Sequence, residues 1–378
     1  MKLKKALLVC LLPAFVISGC GKTTTDETEN TTKQESAVEE TAQEEQETGD
    51  TETESEASGE DTDEETEASK DLFAMDTYMT LTVYGEHAQE AVDKAAERVE
   101  ALDALLSTGN ENSEIYQLNQ NGEATLSEEG GYLVERALEL YKKTEGAFDI
   151  AIYPVMQAWG FPTQDYHVPD DDTLKEKLAL ADASKVKYDK DTRKISFDQD
   201  GMEIDLGGIA KGYTSSQIMQ IYQDCGVTSG LVNLGGNVQA LGCKTDGSKW
   251  RVAIQSPDDT EAYLGILEIE DQAVITSGGY ERYFEEDGVT YHHIIDPATG
   301  YPADSGLISV TIVSDDGTLA DGLSTSLFIM GEEKAAQFWR ENSDEFEAIM
   351  ETSDGKLYVT EGIADSLTTD MDVTVIEK

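Results

Sequence analysis

Between Gly21 and Ser69 the chain is almost wholly Thr, Glu, Ser, Asp and Gln, and no other stretch limits so firmly what can fold. Without large apolar side chains it cannot bury enough surface to offset the entropy of ordering its backbone. Residues 20–69 are therefore expected to be a disordered acidic linker behind Cys20, with 19 acidic and two basic residues between Gly21 and Ser69. Of 378 residues, only 70–378 remain for a globular unit, enough for one large domain or two modest ones.

Ahead of the linker, Lys2, Lys4 and Lys5 precede an apolar run from Ala6 to Val16, broken only by Pro13. The run is too short to span a bilayer comfortably. Ile17-Ser18-Gly19-Cys20 then sets small residues directly before a cysteine, the pattern of a lipoprotein signal over residues 1–19. Cys20 is expected to be acylated. The mature chain then belongs on the extracytoplasmic face of the cell membrane, held by a lipid anchor.

The formal charge is −51, of which the signal and linker leave −37 on residues 70–378. A domain so acidic repels nucleic acid and anionic headgroups, so no nucleic-acid partner is expected. An anionic ligand would have to be met by local cations, backbone amides or a metal. Cys10 leaves with the signal, so Cys225 and Cys243 are the only other cysteines. Outside the cell they can pair or remain two unpaired core residues.

Met79–Tyr84 alternates as a strand. Apolar residues at helical spacing predict helices over about 87–106 and Glu128–Lys143, with Gly146 as a stop. Residues 211–224 also read as helical, as does a stretch near Glu332–Arg340. Strands are expected at Leu231–Leu234, Val238–Leu241, Trp250–Ile254, Leu264–Ile269, Leu307–Val313 and Leu357–Thr360. Helices and strands mix without regular βαβ alternation. The expected fold class is α+β, a single compact mixed α/β domain.

Several clusters carry chemistry. His292-His293 opens into Ile294-Ile295-Asp296-Pro297-Ala298-Thr299-Gly300, which sets titratable groups at a turn. Asp321 and Thr325 are four apart, so on a helix they share one face and can offer two oxygens to a hard cation. The same residues also fit a plain turn before an N-capped helix. Asp205-Leu206-Gly207-Gly208-Ile209-Ala210-Lys211-Gly212 joins paired glycines to a lysine at a helix start, which suits a phosphate. It is neither a Walker A loop nor a dinucleotide fingerprint, and a tight strand-to-helix turn would look the same. Gly146-Ala147-Phe148-Asp149 reads as a helix stop with a core phenylalanine, or as the edge of a ligand site. Trp159-Gly160-Phe161 can pack on that site or on the core. Gly235-Gly236-Asn237 and Thr276-Ser277-Gly278 end strands in glycines and polar groups.

In this order, together with Met75-Asp76-Thr77, these clusters resemble the ApbE-type FAD:protein FMN transferases, over essentially all of residues 72–376. The resemblance implies an enzyme that takes FAD as substrate, releases AMP and leaves FMN phosphoester-linked to a Thr or Ser of an exported flavoprotein of an electron-transfer chain. It implies FAD contacts at Met75, Ala147, Phe148, Asp149, Asp205, Lys211 and His293. It implies a Mg²⁺ held by a backbone oxygen of Gly208 with Asp321 and Thr325, and catalytic roles for His293 and Asp321. The sequence departs from the family pattern at Asp76, Ile150 and Gly279, where glycine, proline and an acidic residue are usual. An FAD pyrophosphatase giving FMN and AMP, or a flavin-binding lipoprotein without turnover, would use the same site.

Overall fold

The computed structural model describes residues 66–259 and 261–378. The expected signal, Cys20 and the linker up to residue 65 lie outside the described residues. The alternation read from the sequence builds one nine-stranded sheet whose strands neighbour one another in chain order. These are β1 (Glu67–Ala74), β2 (Thr77–Tyr84), β3 (Ser229–Leu234), β4 (Asn237–Leu241) and β5 (Ala273–Gly278). They are followed by β6 (Leu307–Ser314), β7 (Glu347–Thr352), β8 (Leu357–Thr360) and β9 (Val373–Ile376). Every adjacent pair is antiparallel except β8–β9. β1 begins at Glu67, so the last residues assigned to the linker are already strand. Edge pairing with β2 orders this polar stretch, whose inward apolar side chains are only Ala68, Leu72 and Ala74.

The helices are α1 (Ala88–Leu106), α2 (Glu114–Asn121), α3 (Glu128–Lys143) and α4 (Tyr153–Ala158). Then come α5 (Asp171–Leu178), α6 (Gly207–Asp224), α7 (Gly317–Met330) and α8 (Glu332–Glu341). Period-2 geometry assigns each strand's side chains to two faces. Ala273 and Ile275 of β5, with Val310 and Ile312 of β6, join α7 and α8 through Leu323, Leu327 and Trp339. Val274 and Val313 face the other way, onto a small sheet of Trp250–Gln255, Tyr263–Ile269 and Leu367–Thr368. α1 covers β1 and β2, its Val92 and Val99 joining Leu81 of β2 in one cluster. The α+β expectation stands, and the described residues form one compact unit. Cys225 and Cys243 are both free thiols.

α6 starts four residues before the periodic signal, at Gly207. Glycines are poor helix formers, but the Asp205 carboxylate accepts from the Gly207 N–H at 2.8 Å and supplies the start that propensity does not. α7 is apolar or small on nearly every side, because it lies between α6 and the sheet. The α6–α7 crossing is made by backbone. A Cβ on Gly212 would lie 2.1 Å from the Gly317 carbonyl oxygen and 2.6 Å from Asp321 Cβ. A Cβ on Gly317 would meet the Gly212 oxygen at 2.8 Å. Gly212→Ala should therefore force the helices apart and lower stability by about 1–3 kcal/mol, as overpacked sites do. Equilibrium denaturation checks this, and an unchanged midpoint would show that the crossing gives way easily.

Candidate functional site

Because successive strands reverse, the β1–β2 turn at Met75-Asp76, the β3–β4 turn at Gly235-Gly236 and the end of β5 at Gly278 gather at one end of the sheet. Asp321 of α7 is held there. Its Oδ2 accepts from the Gly212 N–H at 2.8 Å, and its Oδ1 accepts from Asn237 Nδ2 at 3.0 Å. The carboxylate is 5% exposed. Burial pushes its pKa up, and the Lys211 charge with these N–H donors pulls it back. Thr325, one turn on, is half-buried, with its hydroxyl 3.3 Å from Ser277 Oγ. Ser277 also lies 2.8 Å from Ser324 Oγ. The spacing argument for Asp321 and Thr325 is realised as one helix face.

Gly207 and Gly208 are exposed in the first turn of α6. The Gly212 amide donates to Asp321, and one turn earlier in α6 the Gly208 carbonyl, with two lone pairs, has acceptor capacity to spare. Lys211 is half-buried and, among the described residues, forms no ion pair. Its charge still acts on Asp321, Glu281 and His293. Asp205 is pushed up by burial, opposed by the Gly207 amide and the Arg282 charge.

The two histidines separate by their hydrogen bonds. His292 Nδ1 accepts from the Ile294 N–H at 3.3 Å, so its Nε2–H donates to the Ala303 carbonyl at 3.2 Å. Its ring edge meets Phe328 at 5.6 Å. Both nitrogens are used, and burial lowers its pKa. His293 Nδ1 lies 3.2 Å from the Arg282 carbonyl, which can only accept, so Nδ1 carries the proton and Nε2 keeps its lone pair. Burial first, and then the Arg282 charge, push its pKa down to about 3. The loop carrying it rests on an aromatic cluster. Trp159 Nε1 donates to the Gly300 carbonyl at 2.8 Å, and Phe161 lies 6.4 Å edge-on to His293. Trp159 and Phe161 are therefore core residues supporting the site rather than lining it.

Of the residues expected at the flavin, Phe148 and Asp149 turn inward. Phe148 is 5% exposed and its ring edge reaches under Gly208 and Gly322. Asp149 accepts from the Ala151 and Ala183 amides at 2.7 and 3.1 Å, and burial pushes its pKa up to about 6. The tight Thr144–Asp149 turn puts both side chains on the core side, leaving little of either for a ligand. Ala147 is half-buried beside them. Met75 caps the β1–β2 hairpin next to α6, its sulfur accepting from Thr214 Oγ1 at 3.8 Å. Met75 and Asp76 have φ of 48° and 60°, the left-handed conformation that costs non-glycine residues about 1–2 kcal/mol each. Arg282 Nη2 lies 3.8 Å from Asp76 Oδ2.

Three residues that the sequence does not single out for roles belong here. Asn237 orients Asp321. Arg282 presents its carbonyl to His293. Glu281 is solvent-exposed, yet desolvation by the protein around it leads the causes that lift its pKa to about 7, with Asp321 raising it and Lys211 and Arg282 opposing. Asn237 stood in a recognisable glycine turn. Glu281 and Arg282 carried no signal in a chain that is 28% charged. A surface hollow of about 720 Å³ lined by Arg98, Tyr132, Tyr213 and Asp316 shares none of these residues.

Exposed helix amides, an unpaired lysine and oxygen donors around one carboxylate together can take an anionic phosphate-bearing ligand. A model of the ApbE family matches residues 75–350. The chain is 34% identical over 274 residues to an FAD:protein FMN transferase of Klebsiella pneumoniae, covering 71% of this chain and 84% of that one. It is 36% identical over 296 residues to the enzyme of that name from Treponema pallidum, covering 73% and 82%. Among solved structures, the ApbE protein of Thermotoga maritima superposes with a TM-score of 0.75 at 30% identity, covering 80% of this chain and 99% of that one. The flavin transferase ApbE of Vibrio cholerae gives 0.72 at 28% identity, with 80% and 99% covered. The chain belongs to the ApbE family.

Two outcomes follow from this geometry. His292→Asn should lower stability by about 1–2 kcal/mol through its lost hydrogen bonds, whereas His293→Asn should impair turnover and leave the melting curve nearly unchanged. Thermal melts and rate assays on both variants decide it, and equal effects would erase the distinction. Asp149 has a folded pKa raised from 3.8 to about 6, so the folded state holds the extra proton. Its contribution to stability therefore falls as pH rises from about 4 to 6. In Asp149→Asn, stability measured across that window should decline less than in the parent, and parallel pH profiles would count against it.

Proposed function

We propose that this protein transfers FMN from FAD to a Thr or Ser hydroxyl of exported flavoproteins of electron-transfer chains, in a Mg²⁺-dependent reaction that releases AMP. The observation that carries this reading is the convergence of Asp321, the α6 amino end and Lys211 at one point. The donor set fits magnesium: a carboxylate, a hydroxyl and a backbone carbonyl are the hard oxygens it prefers. Among the described residues no group of three or more His, Cys, Asp or Glu is placed to hold a metal. That suits an ion using one protein carboxylate and completing its shell with substrate phosphates and water. Gly208, Asp321 and Thr325 would hold it, and when bound it would neutralise charge on the pyrophosphate.

The chain's own residues do the rest. The exposed Gly208 amide at the α6 amino end and the Lys211 ammonium receive the pyrophosphate, which a domain of charge −37 would otherwise repel. Met75, Ala147 and Asp205 border the position taken by the remainder of FAD, with Phe148 and Asp149 packed behind them. The acceptor oxygen attacks the phosphorus on the riboflavin side, the bond to the AMP oxygen breaks, and AMP departs. The hydroxyl proton goes to Nε2 of His293. Burial and the Arg282 charge make this nitrogen a weak base in the free protein. Pyrophosphate arriving beside Lys211 and Arg282 offsets those cations and raises its basicity. Asp321, with one N–H donor on each oxygen and its remaining lone pairs for the metal, acts as an anchor rather than as the base.

The lipoprotein-type signal and Cys20 support anchoring to the extracytoplasmic face of the membrane, with the acidic linker giving the domain reach toward exported targets.

The test mixes the full-length chain in detergent with FAD, Mg²⁺ and the protein acceptor of the Vibrio cholerae relative, and records the acceptor's intact mass. A Mg²⁺-dependent gain of one FMN with equimolar AMP is expected. AMP and free FMN without a mass gain would replace transfer by hydrolysis, and bound FAD without AMP would leave a flavin carrier. Asp321→Ala should reduce Mg²⁺-dependent transfer by at least about a hundredfold, the scale of losing an electrostatic anchor at a reacting centre. Near-parental rates would refute its role.

A further inference from the structure

The transferase reading leaves open how a folded acceptor is held while one of its hydroxyls enters the site. The β1–β2 hairpin carries the two most exposed large apolar side chains among the described residues, Phe73 at 61% and Tyr78 at 77%. They are cross-strand partners, and their rings meet edge to face with centroids 5.0 Å apart. Farther from the turn the same outward face is polar and self-satisfied. Thr80 Oγ1 donates to Asp71 at 2.7 Å, and the Ser69 and Thr82 hydroxyls lie 3.2 Å apart. The apolar patch is thus confined to the end nearest the site. Exposed rings gathered at one spot usually mark an interaction surface.

That end is wired to the chemistry. Met75 and Asp76, between the two aromatic residues, hold the strained turn, and Met75 touches Thr214 of α6. Asp76 faces Arg282, whose carbonyl orients His293. Thr77 packs where a Cβ on Gly235 would lie 2.1 Å from its hydroxyl. β1 is also a terminal strand that, among the described residues, pairs only with β2, so its outer edge is open to a further strand.

We propose that the Phe73–Tyr78 hairpin docks the acceptor protein, which lays an extended segment along the β1 edge and presents its hydroxyl past the Met75-Asp76 turn. This rests on the transferase reading. Main-chain pairing along an open edge gives affinity without demanding one sequence, and the aromatic pair supplies an apolar anchor. The −37 charge of the domain selects a segment that is neutral or basic, and it disfavours an anionic membrane surface as occupant.

The experiment compares the full-length parent with the Phe73→Ser/Tyr78→Ser double variant, using the same protein acceptor. Both side chains are exposed, so the variant keeps its core. KM for the acceptor should rise about tenfold or more, the scale of losing an aromatic anchor. KM for FAD and acceptor-free AMP release should stay at parental values. An unchanged acceptor KM overturns the docking surface, and so does a parallel loss in the FAD terms, which would mark a structural role. Lost sedimentation with phosphatidylcholine vesicles at unchanged acceptor KM would give the pair to the membrane and overturn it too. No FMN transfer by the parent itself would instead bring down the transferase reading.

Discussion

Everything at the site depends on two helices touching through glycine. Where Gly212 of α6 meets Gly317 of α7 there is no room for a Cβ on either side. The Gly212 amide can therefore reach across to the Asp321 carboxylate. That hydrogen bond fixes the carboxylate next to Lys211, whose charge offsets the burial of Asp321. A buried carboxylate is tolerated only when donors and counter-charge surround it, and here they come from two elements: the Gly212 amide and Lys211 from α6, and Asn237 from β4.

The sheet serves this contact. A meander in which neighbours in space are neighbours in sequence stacks its turns at two ends, and the glycine-rich turns gather at the end that α6 and α7 reach. The aromatic cluster around Trp159 then holds the Gly300 end of the turn, and Phe161 of the same cluster lies edge-on to His293. Strain at Met75-Asp76, burial at His293 and an elevated carboxyl at Glu281 fall in the same few residues. That coincidence is what a site shaped for binding and proton handling looks like before its ligand arrives.

Much of this was legible beforehand. α1 and α3 are amphipathic, and their boundaries read from apolar spacing agree closely with the structure. β2 is legible by alternation and β3, β4, β6 and β8 as short apolar runs, whereas β7, whose Ala348 and Met350 lie in the core, is not among the expected strands. α7 and the glycine start of α6 were less visible for opposite reasons: one is buried on nearly every side and has no polar face, the other begins with residues that propensity disfavours. β1 was mistaken for linker at its first residues because an edge strand needs few apolar side chains.

The sequence by itself determined the α+β class, the acidic charge, the four-residue spacing that sets Asp321 and Thr325 on one helix face, and the family. Those are properties of local periodicity, composition and motif order. Only the tertiary structure decided which histidine keeps a free nitrogen, that Phe148 and Asp149 look inward, and that Asn237, Glu281 and Arg282 join the site. Adjacent histidines are indistinguishable in one dimension. Their tautomers are assigned by which backbone groups lie opposite each ring, and two of those groups, the Ala303 and Arg282 carbonyls, come from 11 residues away.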